Sequence, residues 1–163
     1  MQVGEFAGDR SWSNFMKFRI ALAAIMLTAT AAFGTAPGSI LGSWKTQGDD
    51  SRLELFRNGE KIYGKIVWLK KPIYIDSKDG PVGKTKVDRK NPNPALRNRP
   101  ILGLQVIKGL TPKGDNRWRN GICYDPETGK SYKCNMRLAS PDRLELRGYI
   151  GISLIGRTFE LTR

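Results

Sequence analysis

Few side chains in this sequence could do chemistry. The chain has 163 residues, no histidine, two cysteines, and 28 lysines and arginines against 15 aspartates and glutamates. Without histidine, the usual general base near neutral pH and the commonest metal ligand are both missing. Two cysteines alone do not make a structural zinc site. A zinc enzyme or a Ser-His-Asp hydrolase is therefore excluded, and no metal or cofactor is expected. The titratable candidates that remain are Asp88, Tyr124 and Asp125. Asp125 opens "DPETGK" (125–130), a turn in which Gly129 takes the positive-φ position, so its role reads as structural. Asp88 opens "DRKNPNPALRNRP" (88–100), where it reads as a group orienting arginines rather than reacting. No nucleophile is matched to a base, so a non-catalytic protein is expected.

The elements that must position these groups are short strands. "KIYGKIVWL" (61–69), "YKCNMRL" (132–138) and "RLELRGYI" (143–150) alternate apolar and polar residues with period two. The first puts Ile62, Gly64, Ile66 and Trp68 on one face; the second does the same for Tyr132, Cys134, Met136 and Leu138. Eight strands are expected, at about 42–46, 52–57, 61–69, 101–109, 117–124, 131–138, 143–150 and 154–162. Most are joined by hairpin signals such as "RNGE" (57–60) and "SPD" (140–142). Eight consecutive antiparallel strands, each with one apolar face, predict an all-β up-and-down barrel, with a two-sheet sandwich as the competing arrangement.

Ahead of the strands, Lys17 and Arg19 precede an alanine-rich apolar run from Ile20 to Phe33 and the small residue Gly34. Basic, apolar and small segments in that order describe a secretory signal peptide over 16–34, after an upstream extension at 1–15. The apolar run is too short to span a membrane. The mature domain is then 35–163, periplasmic or secreted, with 25 cations against 13 acids and a net charge of +12. Such an excess favours anionic partners: lipid headgroups, envelope polymers or small anionic molecules. Export argues against nucleic acid.

Export also places Cys123 and Cys134 in an oxidising compartment. Pairing Asp125 with Lys130 sets Cys123 opposite Tyr132, so the two sulfurs are diagonal neighbours. Diagonal Cα separations of ~7–8 Å lie just beyond the disulfide range, and a bulge at Gly121 would close the gap. A structural disulfide and a pair of buried thiols both fit.

Five blocks resemble one family: "GSWKT" (42–46), "NGEKIYGKIVWL" (58–69), "DRKNPNPALRNRPILGLQVIKGL" (88–110), "WRNGICYDPETGKSYKCNMRL" (118–138) and "LELRGYIGISLIGRTFELTR" (144–163). Together they are similar to the exported bacterial family known as domain of unknown function 2147. The resemblance implies a calycin-like (lipocalin-like) eight-stranded barrel and an exported location, and no particular activity. It also implies structural roles for Gly42 and Trp44, which open the first strand as Gly-x-Trp, and for Arg163, since calycins close with an arginine packed over that tryptophan. A contact of that kind is worth about 0.5–2 kcal/mol.

Strict alternation in "IGRTFELTR" places Ile155, Arg157, Phe159, Leu161 and Arg163 on one face. Arg157 is about 20 Å from Arg163 along the strand and is expected to point into the barrel near its other end. There it meets an internal partner or the anionic group of a ligand. That end also carries 70–100, the only long connection, with nine cations and three acids. Its first half, "KDGPVGKTK" (78–86), reads as flexible; Pro92, Pro94 and the asparagines stiffen its second half. The ligand-binding candidates are therefore Arg157, Asp88, Asn91, Arg97, Arg99, Trp68 and Tyr132. Two functions fit: a barrel that holds a small anionic or amphipathic molecule, or a filled barrel whose basic loop docks on an envelope polyanion or partner protein.

Overall fold

The computed structural model describes residues 39–163; the expected leader and upstream extension lie outside the described residues. Eight strands follow in chain order: β1 (Gly42–Thr46), β2 (Ser51–Asn58), β3 (Lys61–Leu69), β4 (Gln105–Pro112), β5 (Arg117–Asp125), β6 (Lys130–Ser140), β7 (Arg143–Tyr149) and β8 (Gly156–Thr162). Each is antiparallel to the next, and β8 returns to β1, so the sheet closes into a barrel. The alternation in the sequence becomes an alternation in burial. In β7, Leu144, Leu146 and Gly148 are buried while Arg143 is exposed and Glu145 and Arg147 are half-buried. Fully burying one such leucine contributes about 1.5–3 kcal/mol.

Packing grades along the barrel axis. Trp44, Leu55, Ile62, Ile107, Leu110, Met136, Leu144 and Leu161 fill its middle and one end. The connections β1–β2, β3–β4, β5–β6 and β7–β8 gather at the other end, because hairpins in an up-and-down barrel alternate between ends.

Three features differ from the expectations. Strand β4 begins at Gln105 rather than Ile101: Ile101–Leu104 forms a turn, with Leu104 N–H bonded to the Ile101 carbonyl at 3.0 Å and both apolar side chains buried. Trp68 does not share a face with Ile66. Leu53 pairs with Ile66 but Arg52 pairs with Trp68, so Val67 is an extra, bulged residue that reverses the alternation. Trp68 then lies 37% exposed, with the Arg52 guanidinium 5.0 Å from its ring centroid. Finally, β8 starts at Gly156 and its seam with β1 is short, only Lys45–Thr162 and Thr46–Leu161 being paired.

Candidate functional site

The long connection between β3 and β4 is folded by a network built on one buried carboxylate. Asp88 is fully buried. It accepts from Tyr124 Oη at 2.5 Å, from Asn91 Nδ2 at 2.8 Å, and from Arg99 Nε and Nη2 at 3.1 and 2.9 Å. Four donors on one carboxylate give the anion the partners that burial demands. Asn91 Nδ2 also donates to Tyr124 Oη at 3.1 Å, and Asn91 Oδ1 accepts the Asn93 amide at 2.9 Å. Arg97 Nε bonds the Asn91 carbonyl at 2.8 Å, and Asn93 caps the short helical turn Pro94–Leu96. Burial, reinforced by the hydrogen bond to Asp88 and its negative charge, pushes Tyr124 up to about 12.

Asp88, Asn91, Arg97 and Arg99, all named from the sequence as ligand candidates, therefore bond one another, Tyr124 and the Asn93 amide. Tyr124 alternates with the inward-facing Cys123, so the loop meets the barrel wall on its outer side. The contact continues at the β5–β6 turn, where Asp125 accepts from the Glu127 amide at 2.9 Å and Thr128 Oγ1 at 2.7 Å. Gly129 has φ +72°, and a Cβ there would sit 1.9 Å from the Lys90 carbonyl oxygen. Only glycine allows both that φ and that approach. The segment 78–86, read as flexible, is also held by backbone bonds: Tyr74 N–H to the Lys84 carbonyl and Gly83 N–H to the Tyr74 carbonyl, both 2.9 Å. Tyr74 Oη in turn accepts the Val87 amide at 3.0 Å. The prolines and asparagines of the sequence signal a brace; nothing local in the sequence signals the part that Tyr124 and Tyr74 play in it.

The inward wall at the same end is bare by comparison. Arg157 pairs with Gly148 and Phe159 with Leu146, so both lie on the inward face that carries Leu161. Yet Arg157 is exposed and Phe159 is 47% exposed. Arg157 therefore stands at the rim and meets no internal acid: it forms no ion pair among the described residues. The cause is the short seam. Along Gly156–Glu160, β8 has no partner strand on its β1 side, and the wall is open there. A depression of about 400 Å³ lies beside the seam, lined by Lys45–Asp49, Glu160 and Thr162. A second, of about 190 Å³, crosses the outer wall of β5–β8 between Arg117, Arg119, Arg137 and Arg147.

Tyr132 and Cys123, half-buried, line the inward face beside Gly148, where an added Cβ would already be in contact, 3.5 Å from Cys123 Sγ and 3.8 Å from the Tyr132 Cβ. Cys123 and Cys134 are free thiols in this structure. Tyr132 pairs with Cys123 and Gly121 with Cys134, and a bulge falls between Trp118 and Gly121. Hydrogen bonding to Cys123 and burial raise the Cys134 thiol well above its ordinary value. At the opposite end, Trp44 is fully buried with its Nε1 donating to the Ile40 carbonyl at 2.8 Å. The Arg163 guanidinium lies 4.1 Å from the Trp44 ring centroid and bonds the Ser39 carbonyl, tying the chain end to the start of β1. Gly42, at φ +106°, begins that strand.

Comparison with known proteins agrees with this geometry. The family described as uncharacterized protein conserved in bacteria (DUF2147) matches residues 42–163. Among curated proteins none matches. A solved structure from Helicobacter pylori, described as protein HP1028 belonging to the lipocalin family, is 27% identical with a TM-score of 0.64. The likeness covers 77% of this chain and 82% of that one. With the closed eight-stranded barrel, the terminal arginine over the first-strand tryptophan and a family match across every strand, the chain belongs to the uncharacterized bacterial family DUF2147 and has a lipocalin-like fold.

Proposed function

We propose that the protein is an exported, non-catalytic binder of a small anionic amphiphile at the open end of its barrel. The observation that carries this reading is the exposure of Arg157 and Phe159 on the inward face, above a packed core. An unpaired guanidinium beside an aromatic ring suits a molecule with a carboxylate or phosphate at one end and a hydrocarbon at the other. The gap beside β8 supplies lateral access. An eight-stranded barrel has room for about one small ligand. Export rests on the basic, apolar and small segments of residues 16–34.

A second reading is favoured by the arginine-lined groove on the outer wall, which suits a sulfated or phosphorylated polymer. Arg137 is already paired with Glu145 at 2.8 Å, and Arg147 is committed to backbone carbonyls, which weakens it. Native mass spectrometry of protein purified from its own envelope fraction separates the two. A retained small molecule, released by Arg157→Ala, supports the amphiphile reading. Repeated recovery of empty protein, with retention on an anionic polymer lost in Arg117→Ala/Arg119→Ala, supports the second.

A further inference from the structure

The β7–β8 connection is the most apolar exposed segment among the described residues. Ile150, Ile152, Leu154 and Ile155 are 70, 59, 84 and 70% exposed. Its backbone is nevertheless held in place. Arg147 donates from Nε to the Ser153 carbonyl at 2.7 Å and from Nη2 to the Leu154 carbonyl at 3.0 Å. Ile155 N–H bonds the Ile152 carbonyl at 3.2 Å, and Gly151 turns the chain at φ +72°. Polar groups are thus satisfied from the barrel side while four aliphatic side chains face water. A segment of this kind is an interaction site rather than ordinary surface.

We propose that this tip inserts into the interface of an anionic lipid bilayer. Charge supports that occupant. Connections at this end carry nine lysines and arginines against six acids, whereas those at the other end carry one against three. Arg157, Lys130 and Lys133 near the tip form no ion pair among the described residues. Tyr149, half-buried at the base of the tip, is the residue type that favours the headgroup level. Apolar side chains below a cationic collar are the two parts of interfacial binding. A second copy of the chain is a poorer occupant: stable interfaces use about 20–30 residues a side, and this tip has six.

The test is co-sedimentation with vesicles of phosphatidylglycerol and phosphatidylethanolamine, compared with phosphatidylcholine alone. Wild-type protein should bind the anionic vesicles. Ile152→Asp/Leu154→Asp should bind at least about tenfold more weakly, since two aliphatic side chains leave the apolar phase. Both positions are exposed, so the thermal midpoint should hold. In Leu154→Trp, the new indole should shift to the blue on anionic vesicles. No binding by the wild type overturns the proposal, as does equal binding by the double variant. A dimer dissolved by the same substitutions, with no vesicle binding, also overturns it and assigns the tip to self-association.

Discussion

At the scale of single residues, Asp88 holds the β3–β4 connection together. It is a buried anion with four donors, so removing it leaves Arg99, Asn91 and Tyr124 without their acceptor. Asp88→Ala should cost about 2–4 kcal/mol in chemical denaturation. It should also speed hydrogen exchange of the 86–100 amides more than that of the strands; uniform exchange would contradict this role. Tyr124 gives a pH signature. Its folded-state value lies at about 12, above the usual ~10 of an unfolded tyrosine. The unfolded chain thus loses this proton first, and the stabilisation is complete below pH ~10 and lost as pH rises from there to about 12. Tyr124→Phe should remove that part of the alkaline limb, while an unchanged limb would assign it to other groups. The sequence marked Asp88 and the arginines as partners but not Tyr124, because a contact 36 residues away depends on how the loop folds back.

At the scale of elements, the strands were legible because each has one wet and one dry face, which period two records directly. What was lost came from single extra residues. Val67 reverses the face of Trp68, and nothing in "KIYGKIVWL" announces a bulge. The start of β4 was misplaced for a related reason: Ile101 and Leu104 are apolar because they pack in a turn, and apolar content alone does not separate a buried turn from a strand. The β5–β6 turn was read with its Asp125–Lys130 pairing, yet its contact with the long loop was not. Gly129→Ala tests that contact. A methyl group 1.9 Å from the Lys90 carbonyl must displace backbone, and φ +72° adds strain, so the loss should exceed about 1 kcal/mol. Gly151→Ala has the same positive φ but open space around it, and should cost only the conformational part.

At the scale of the whole molecule, the barrel is graded: packed from the Trp44–Arg163 end through its middle, open beside β8 at the end where the loops gather. The closed barrel follows from eight alternating strands, but the opening does not. It depends on how few residues of β1 reach β8, a register that alternation leaves unspecified. The proposed ligand site is this inward rim and not the outer wall. Titrating isotopically labelled protein with dodecanoate, read by amide and methyl chemical shifts, tests it most directly. Saturable shifts centred on Tyr132, Gly148, Arg157 and Phe159, lost in Arg157→Ala, are the expected result. Shifts confined to Arg117, Arg119 and Arg137, or none at any concentration below micelle formation, would contradict it.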